Sequence, residues 1–249
     1  MSAFELVGIA AWSFAVAVAG GAVGLVLGNL RLPLFLLAAS SPAAAGGANI
    51  AVSGISAATA STTHIRAGRI NWRLFAWMAP PSILGALAGG YLAGRVSDTA
   101  LLLAIAAVLF YSGLDLLLRR PAAGTARAEP RVVPAVVAGA IIGLLGGFVG
   151  LILGSLRMPA LLRLVGEPAG RAVGTNLAVG VCVGAAGVLG HLPSAAPDYR
   201  LVLAGGGASI PGALLGARLT GRLSEPDLVR AIAVVLLVAG TAAAVQALV

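Results

Sequence analysis

The chain has 249 residues, of which 59% are hydrophobic and only 10% are charged, and its mean hydropathy is +1.03. Soluble domains carry about 25% charged residues, so this composition excludes an ordinary soluble domain and predicts a polytopic α-helical membrane protein. The net charge of +8 comes from arginine, because the sequence contains no lysine. These arginines lie mostly between apolar segments, which favours a role in membrane topology and argues against a nucleic-acid partner.

Ten apolar segments follow one another along the chain in two groups of five. They are 4–28, 32–41, 44–64, 72–94 and 100–118, followed by 134–154, 159–166, 172–191, 201–220 and 228–247. A helix needs about 20 residues to span a bilayer, so the second segment of each group is too short to cross by itself. A polar stretch rich in Pro, Ala and Arg separates the groups. The sequence therefore predicts an N-terminal repeat at 1–118, a cytoplasmic linker at 119–133 and a C-terminal repeat at 134–249, within one integral membrane domain.

The two groups are copies of each other. Residues 20–33 (GGAVGLVLGNLRLP) and 146–159 (GGFVGLILGSLRMP) are identical at ten of fourteen positions, at an offset of 126 residues. The offset then becomes 127 and continues to GRVS at 94–97 and GRLS at 221–224. One inserted residue over so long a match indicates a duplication, and paired halves are typical of secondary transporters.

The positions of the arginines predict that the second repeat is inverted. If each short segment is a re-entrant unit that returns to the side where its preceding helix began, three transmembrane helices follow it in each half. One side then carries twelve arginines outside the repeated turns: Arg66, Arg69, Arg73, Arg119, Arg120, Arg127, Arg131, Arg163, Arg171, Arg218, Arg222 and Arg230. The other side carries only Arg95 and Arg200. A parallel arrangement would divide the arginines about evenly, whereas the positive-inside rule requires an asymmetry. We therefore expect two inverted-topology repeats, with both termini outside the cytoplasm.

Arg31 and Arg157 are the two arginines that this count leaves over. Each comes two residues before a proline, Pro33 or Pro159. Proline is favoured in the first turn of a helix, so the sequence predicts a half-helix that starts here and directs its free N–H groups toward the arginine. A helix N-terminus and a guanidinium both attract anionic oxygens. The two turns together predict one anion-binding site near the membrane midplane; the alternative is that both arginines anchor helices at the headgroups.

Five further residues are candidate ligands for this anion. Asn49 and Asn176 occupy matching positions early in the next helix, Thr175 precedes Asn176, and Asn29 and Ser155 lie two residues before the arginines. All five side chains can donate hydrogen bonds to an oxyanion. Small and polar residues also serve in helix packing inside membranes, and packing is the role we expect for the Ser- and Thr-containing stretch after Asn49.

Motifs of enzymes are missing from the sequence. It has no GxxxxGK[ST], HExxH or GxSxG, so we expect no enzymatic activity and neither a cofactor nor a metal site. The scarcity of acidic residues and of Cys/His clusters in the apolar segments argues against a transporter of cations or metals. A membrane scaffold or assembly protein, in which the repeats serve only packing, is the alternative from another class.

The repeated turns ending in LRLP and LRMP, the helix that begins GGANIAVSG and its counterpart VGTNLAVGV resemble the TauE/SafE family, also called the sulfite exporter family. The resemblance covers nearly the whole chain, although the family often has no arginine at the turn. It implies a transporter of sulfite, organosulfonates or other small anions in the bacterial plasma membrane. It also implies coupling to an ion gradient, which H⁺ or Na⁺ could supply. A carboxylate or an inorganic anion as substrate, and a homo-oligomeric assembly, stay open.

Overall fold

The computed structural model describes residues 2–92, 97–118, 131–149, 151–191 and 196–248. Most of these residues are helical, and none of them lies in a β-strand. In chain order the helices are α1 (Ala3–Val23), α2 (Gly28–Ala38), α3 (Pro42–Arg66), α4 (Trp72–Tyr91), α5 (Asp98–Leu118), α6 (Val132–Val149), α7 (Gly154–Pro159), α8 (Ala169–His191), α9 (Tyr199–Thr220) and α10 (Glu225–Leu248). A π-helical turn (Ala160–Val165) directly follows α7.

The predicted all-helical architecture is confirmed, and every predicted apolar segment corresponds to a helix. The largest differences occur at the first segment of each half, because α1 already ends at Val23 and the described part of α6 at Val149. Of the predicted linker, residues 119–130 lie outside the described part of the chain, and α6 begins at Val132, inside the predicted linker.

Five helices of the described chain are long and apolar enough to cross a membrane: α1, α5, α8, α9 and α10. Of the three transmembrane helices predicted after each short segment, all three in the second half meet this criterion, but in the first half only α5 does. By contrast, α2 has 11 residues and α7 has six, followed by six in the π-helical turn. At 1.5 Å per residue, α2 is about 16 Å long, roughly half the thickness of the hydrocarbon core. The two short segments are therefore half-helices, as their lengths in the sequence predict.

The closest helix pairs join one half of the chain to the other. Helix α1 packs against α9, with Gly212 against Phe14 and Gly216 against Val18, so the residue numbers rise together and the two helices run parallel. Glycine at these positions lets the backbones approach closely, as is common in membranes. The equivalent pair, α4 and α6, is also parallel, with Gly139 against Met78 and Gly143 against Ser82.

The equivalent helices α3 and α8 cross each other in the centre of the structure. Gly54 lies against Gly184 and Ala57 against Gly180, so the residue numbers rise in one helix while they fall in the other. Helices α3 and α8 therefore run antiparallel. Helices α5 and α10, the last of each half, are also antiparallel, since Gly113 contacts Leu237 and Gly240 contacts Leu109.

Candidate functional site

The break between α1 and α2 lies in the interior of the protein. Gly24 ends α1 in a left-handed conformation (φ 70°), and the Leu25 N–H donates to the Gly20 carbonyl at 2.9 Å. Residues 25–29 are all buried. Since α2 starts at Gly28, Arg31 lies inside its first turn and not before it as the sequence predicts. The sequence-based prediction of the helix start is therefore wrong by about one turn.

Pro33 lies within α2, and another helix supplies a donor in place of its missing N–H. In a regular helix the residue at position 33 would donate to the carbonyl of Asn29. Here the Gln246 side chain of α10 donates its Nε2 to that carbonyl at 2.5 Å. Pro33 thus occupies the second turn of α2. The Asn29 carbonyl, which lacks an N–H donor from Pro33, accepts a hydrogen bond from Gln246 of α10 instead.

The second half repeats this break. The Leu151 N–H donates to the Gly146 carbonyl at 3.0 Å, which matches the bond of Leu25 in the first half. Helix α7 begins at Gly154, so Arg157 also lies inside its half-helix. The π-helical turn that follows ends at Gly166, which has a positive φ of 80°. Both arginines thus occupy the same position, three residues after the start of a half-helix.

Arg31 is buried and almost without partners. Its side chain is 1% exposed, and Nη1 donates to the Ser53 hydroxyl of α3 at 3.2 Å, whereas Nε has no partner. Ser53 lies near the middle of α3, 11 residues after Pro42 and 13 before Arg66. The Arg31 guanidinium therefore contacts the middle of a 25-residue helix and not its end.

Arg157 has fewer partners still. It is 1% exposed, and both Nε and Nη1 lack a hydrogen-bond partner. Its half-helix is tied to α8, because Asn176 of α8 donates to the Gly154 carbonyl at the start of α7 at 2.9 Å.

The two half-helices that carry the arginines both contact the crossing pair α3 and α8. Arg31 of α2 bonds to Ser53, whose neighbour Gly54 touches Gly184 of α8. Asn176 of α8 bonds to Gly154, at the start of the half-helix that carries Arg157. Both guanidinium groups are buried, and in the described residues neither of them has an acidic partner at ion-pair distance. The acids of the described ion pairs are bound elsewhere: Asp115 to Arg163, Glu167 to Arg171 and Asp227 to Arg230.

Asn176 holds both breaks together. Its Nδ2 donates to the Gly24 carbonyl at 2.7 Å and to the Gly154 carbonyl at 2.9 Å, so one amide bridges the two halves. Both hydrogens of the amide are used, and Oδ1 is buried without a partner. In this conformation Asn176 has no donor left for an anion, so its observed contacts are those of a structural clamp.

Asn49, at the matching position of α3, lies beside the start of α2. A Cβ built on Gly28 would be 3.0 Å from Asn49 Nδ2 and 3.0 Å from Ser53 Oγ, so both side chains lie close to the Gly28 backbone. A side chain at Gly28 would therefore require Asn49 or Ser53 to move. Asn49 is 1% exposed, and its Oδ1 has no partner. Asn49 and Ser53 thus face the start of α2, and Ser53 contacts Arg31 directly.

Thr175 belongs to a different polar cluster. Its Oγ1 accepts a hydrogen bond from the backbone N–H of Asn71 at 3.0 Å, and Asn71 Nδ2 donates to Glu167 Oε2 at 3.0 Å. Glu167 in turn pairs with Arg171, with 3.0 Å between Oε1 and Nε. These contacts fasten the start of α4 to the start of α8, and the structure gives Thr175 no contact with either arginine.

Asn29 and Ser155 border a small cavity between α5 and the two helix breaks. The cavity measures about 10 Å³, enough for one water molecule, and Ile105 and Ala243 form part of its wall. Asn29 Nδ2 also donates to the Ala239 carbonyl of α10 at 3.0 Å. Asn29 and Ser155 therefore face this cavity, whereas the Arg31 guanidinium contacts α3. The described residues include no group of His, Cys, Asp and Glu that could hold a metal ion.

A family profile described as "Sulfite exporter TauE/SafE" matches residues 9–243, nearly the whole chain. The protein belongs to the TauE/SafE family. The resemblance that the repeated turns indicate is thus confirmed. No curated protein and no solved structure matches the chain significantly.

Membership of the TauE/SafE family gives the class of the protein. It is a multi-pass membrane protein of a family that exports sulfite and other small anions, with such an anion and the membrane lipid as its partners. The family is one of transporters, which agrees with the expectation that the chain is not an enzyme.

Ser53 is the residue of the site that the sequence did not reveal. The sequence predicts a packing role for the Ser- and Thr-containing stretch of α3 that includes Ser53. In the structure, the Ser53 hydroxyl accepts a hydrogen bond from Arg31. One signal was available in this TauE/SafE chain. Ser53 comes four residues after Asn49, and residues at that spacing share one face of a helix.

Proposed function

We propose that this TauE/SafE protein is a secondary transporter that binds one small anion between its two repeats. The ligands are the guanidinium groups of Arg31 and Arg157, beside the N-terminal turns of the half-helices α2 and α7. The anion is sulfite, an organosulfonate or a related oxyanion. The observation that carries this proposal is that both arginines are 1% exposed, have unpartnered N–H donors and lack an acidic partner in the described residues.

The energetic argument follows from the burial of charge. An isolated cation inside a protein loses its hydration, and the loss is repaid only by an opposite charge and by hydrogen bonds. A charged side chain inside a membrane is rare and usually serves function for the same reason. An oxyanion between Arg31 and Arg157 supplies both the charge and the acceptors, because a guanidinium donates well to planar or tetrahedral oxyanions.

The depth of the two arginines supports transport over the alternative of a headgroup anchor. An anchoring arginine extends its charged end into the interface, where water reaches it. Arg31 and Arg157 are instead each 1% exposed, and Arg31 contacts Ser53 near the middle of α3. This burial also disfavours the scaffold alternative, which gives the two charges no role.

The helix pairs support inverted-topology repeats. Equivalent helices of inverted repeats run in opposite directions, and both α3 with α8 and α5 with α10 are antiparallel. From these helix directions and the asymmetric arginine count of the sequence, we propose that both termini lie outside the cytoplasm. We place the protein in a bacterial inner membrane. Rocking of the two repeats about the α3–α8 crossing would then give alternating access. A coupling ion (H⁺ or Na⁺) and a homo-oligomer stay predictions.

Anion binding to the purified full chain tests the proposal. The panel comprises sulfite, sulfate, methanesulfonate and acetate, with wild type compared with Arg31→Gln and Arg157→Gln. Loss of a buried charged donor should raise the dissociation constant at least about 30-fold. The control is Arg230→Gln, whose side chain is 58% exposed and pairs with Asp227, and which should bind as wild type does.

Each outcome of this experiment has a definite meaning. Saturable binding that both buried changes abolish, while the control retains it, supports the site between the repeats, and the strongest ligand identifies the substrate class. Binding that survives both changes places the site elsewhere. Wild-type protein that binds none of the four anions contradicts the proposal and favours the scaffold alternative.

A further inference from the structure

The two halves of the site differ at one position next to the arginines. Arg31 Nη1 donates to Ser53 of α3 at 3.2 Å. The residue that corresponds to Ser53 in the second repeat, 127 positions later, is Gly180 of α8. Arg157 therefore has no hydroxyl at the place where Arg31 has one, although the half-helices that carry them match closely in sequence.

The hydrogen-bond inventory of the two guanidinium groups reflects this difference. In Arg31 only Nε is buried without a partner, whereas in Arg157 both Nε and Nη1 are. Both side chains are 1% exposed, so bulk solvent does not reach these donors. A guanidinium bonded to a hydroxyl is held in one orientation before the anion arrives. A guanidinium with two free donors is stabilised only when an acceptor reaches it.

The surroundings of Gly180 are side chains and not backbone. A Cβ built on Gly180 would lie 3.2 Å from Val26 Cγ2 and 3.8 Å from Ala57 Cβ. The Val26 methyl group would need to move by a few tenths of an ångström. The glycine at this position is thus not imposed by the approach of another backbone, in contrast to Gly174, whose Cβ would clash with the Arg69 backbone carbonyl.

We propose that Ser53 is a positioning residue that holds the Arg31 guanidinium in its binding orientation before the anion arrives. The charge of Arg157, by contrast, is compensated only by the bound anion. This inference rests on the proposed function, since it assigns separate tasks to the two arginines of that site. Arg31 provides a preorganised docking point for the anion. Because the charge of Arg157 is uncompensated without the anion, the anion-free site is less stable. Anion binding should therefore stabilise chiefly α7 and α8.

The reciprocal pair Ser53→Ala and Gly180→Ser tests this division, with the full chain in lipid nanodiscs and sulfite as the probe. Two quantities are measured for each variant: the thermal midpoint without anion and the sulfite dissociation constant. Ser53→Ala should weaken sulfite binding about 5- to 30-fold, because Arg31 loses its preorganisation. Gly180→Ser should raise the anion-free midpoint and reduce the further rise that sulfite causes, because Arg157 gains a permanent partner.

The arginine variants give a readout that does not depend on the ligand. Arg157→Gln removes a buried charge with two unpartnered donors, so it should raise the anion-free midpoint. Arg31→Gln removes a charge but also the bond to Ser53, so its midpoint should rise less or fall. Both variants should lose sulfite binding. If Ser53→Ala or Gly180→Ser fails to fold, the anion-free thermal midpoints of Arg31→Gln and Arg157→Gln still test the proposal.

The results that overturn the inference differ from those that overturn the proposed function. Wild type that binds sulfite through both arginines, with Ser53→Ala and Gly180→Ser leaving the dissociation constant and the midpoint unchanged, refutes the division of tasks alone. Equal midpoints for Arg31→Gln and Arg157→Gln refute it as well. Wild type that binds no sulfite overturns both proposals together.

Discussion

Asn176 offers the most direct test of how the broken helices are held in place. Its Nδ2 donates at 2.7 Å and 2.9 Å to the carbonyls of Gly24 and Gly154, one from each half of the chain. Asn176→Ala removes this donor from both carbonyl oxygens, which belong to buried residues. A buried group that loses its hydrogen bond costs about 1–3 kcal/mol, so the free energy of unfolding should fall by about 2–6 kcal/mol.

Thermal unfolding of the purified full chain measures this loss. For a protein of this size 1 kcal/mol corresponds to a shift of about 2–4 °C, so the midpoint of Asn176→Ala should fall by at least about 4 °C. The matched control is Thr241→Ala in α10, which also removes a donor to a carbonyl. Thr241 Oγ1 donates to Leu237 at 3.0 Å on an exposed face of the helix, so its loss should leave the midpoint nearly unchanged.

A second substitution identifies the atom responsible. Asn176→Asp keeps the size of the side chain, but an ionised carboxylate only accepts hydrogen bonds and would face two carbonyl oxygens. Its midpoint should fall at least as far as that of Asn176→Ala. A midpoint of Asn176→Ala equal to that of the Thr241 control would refute the reasoning, since packing alone would then hold the breaks. An Asn176→Asp variant as stable as wild type would show that the amide does not donate to these carbonyls.

Two further predictions concern contacts between the halves. Gly216→Ala should destabilise the protein by separating α1 from α9, because its Cβ would lie 2.8 Å from the Ala22 backbone nitrogen, whereas Gly207→Ala in the same helix has no atom within 4 Å and is the control. Equal midpoints of the two variants would show that the α1–α9 contact adapts freely. Gln246→Ala deprives the Asn29 carbonyl of its donor, so it should cost about 1–3 kcal/mol and weaken anion binding at the neighbouring half-helix. Unchanged unfolding and binding would mean that α2 is held without Gln246.

The start of each half-helix shows where local sequence signals fail. The proline rule predicts a helix that begins beside Arg31, but α2 begins three residues earlier, at Gly28. The rule assumes that a carbonyl deprived by proline has no other donor. Gln246 lies 217 residues away from Asn29 in the chain and supplies that donor, so no local pattern contains the information.

The candidate ligands show the same limit. Repeat symmetry gives Asn49 and Asn176 one role, yet only Asn176 is seen to bridge two backbone carbonyls. The sequence suggests Thr175 as a second candidate anion ligand because it is adjacent to Asn176. Successive residues of a helix point about 100° apart, however, and the Thr175 hydroxyl contacts Asn71 instead.

The sequence by itself determined the membrane class, the TauE/SafE resemblance, the duplication and the two short segments, because composition, length and repetition are properties of the chain alone. The equivalence of Arg31 and Arg157 also follows from the sequence. Only the tertiary structure buried both arginines, gave Ser53 to Arg31 and turned Asn29 and Ser155 toward a cavity beside α5. The physical reason is that a side chain's partner depends on where its helix begins and on what packs beside it. Both are decided by contacts between residues on different helices, from 22 positions apart for Arg31 and Ser53 to 217 for Asn29 and Gln246.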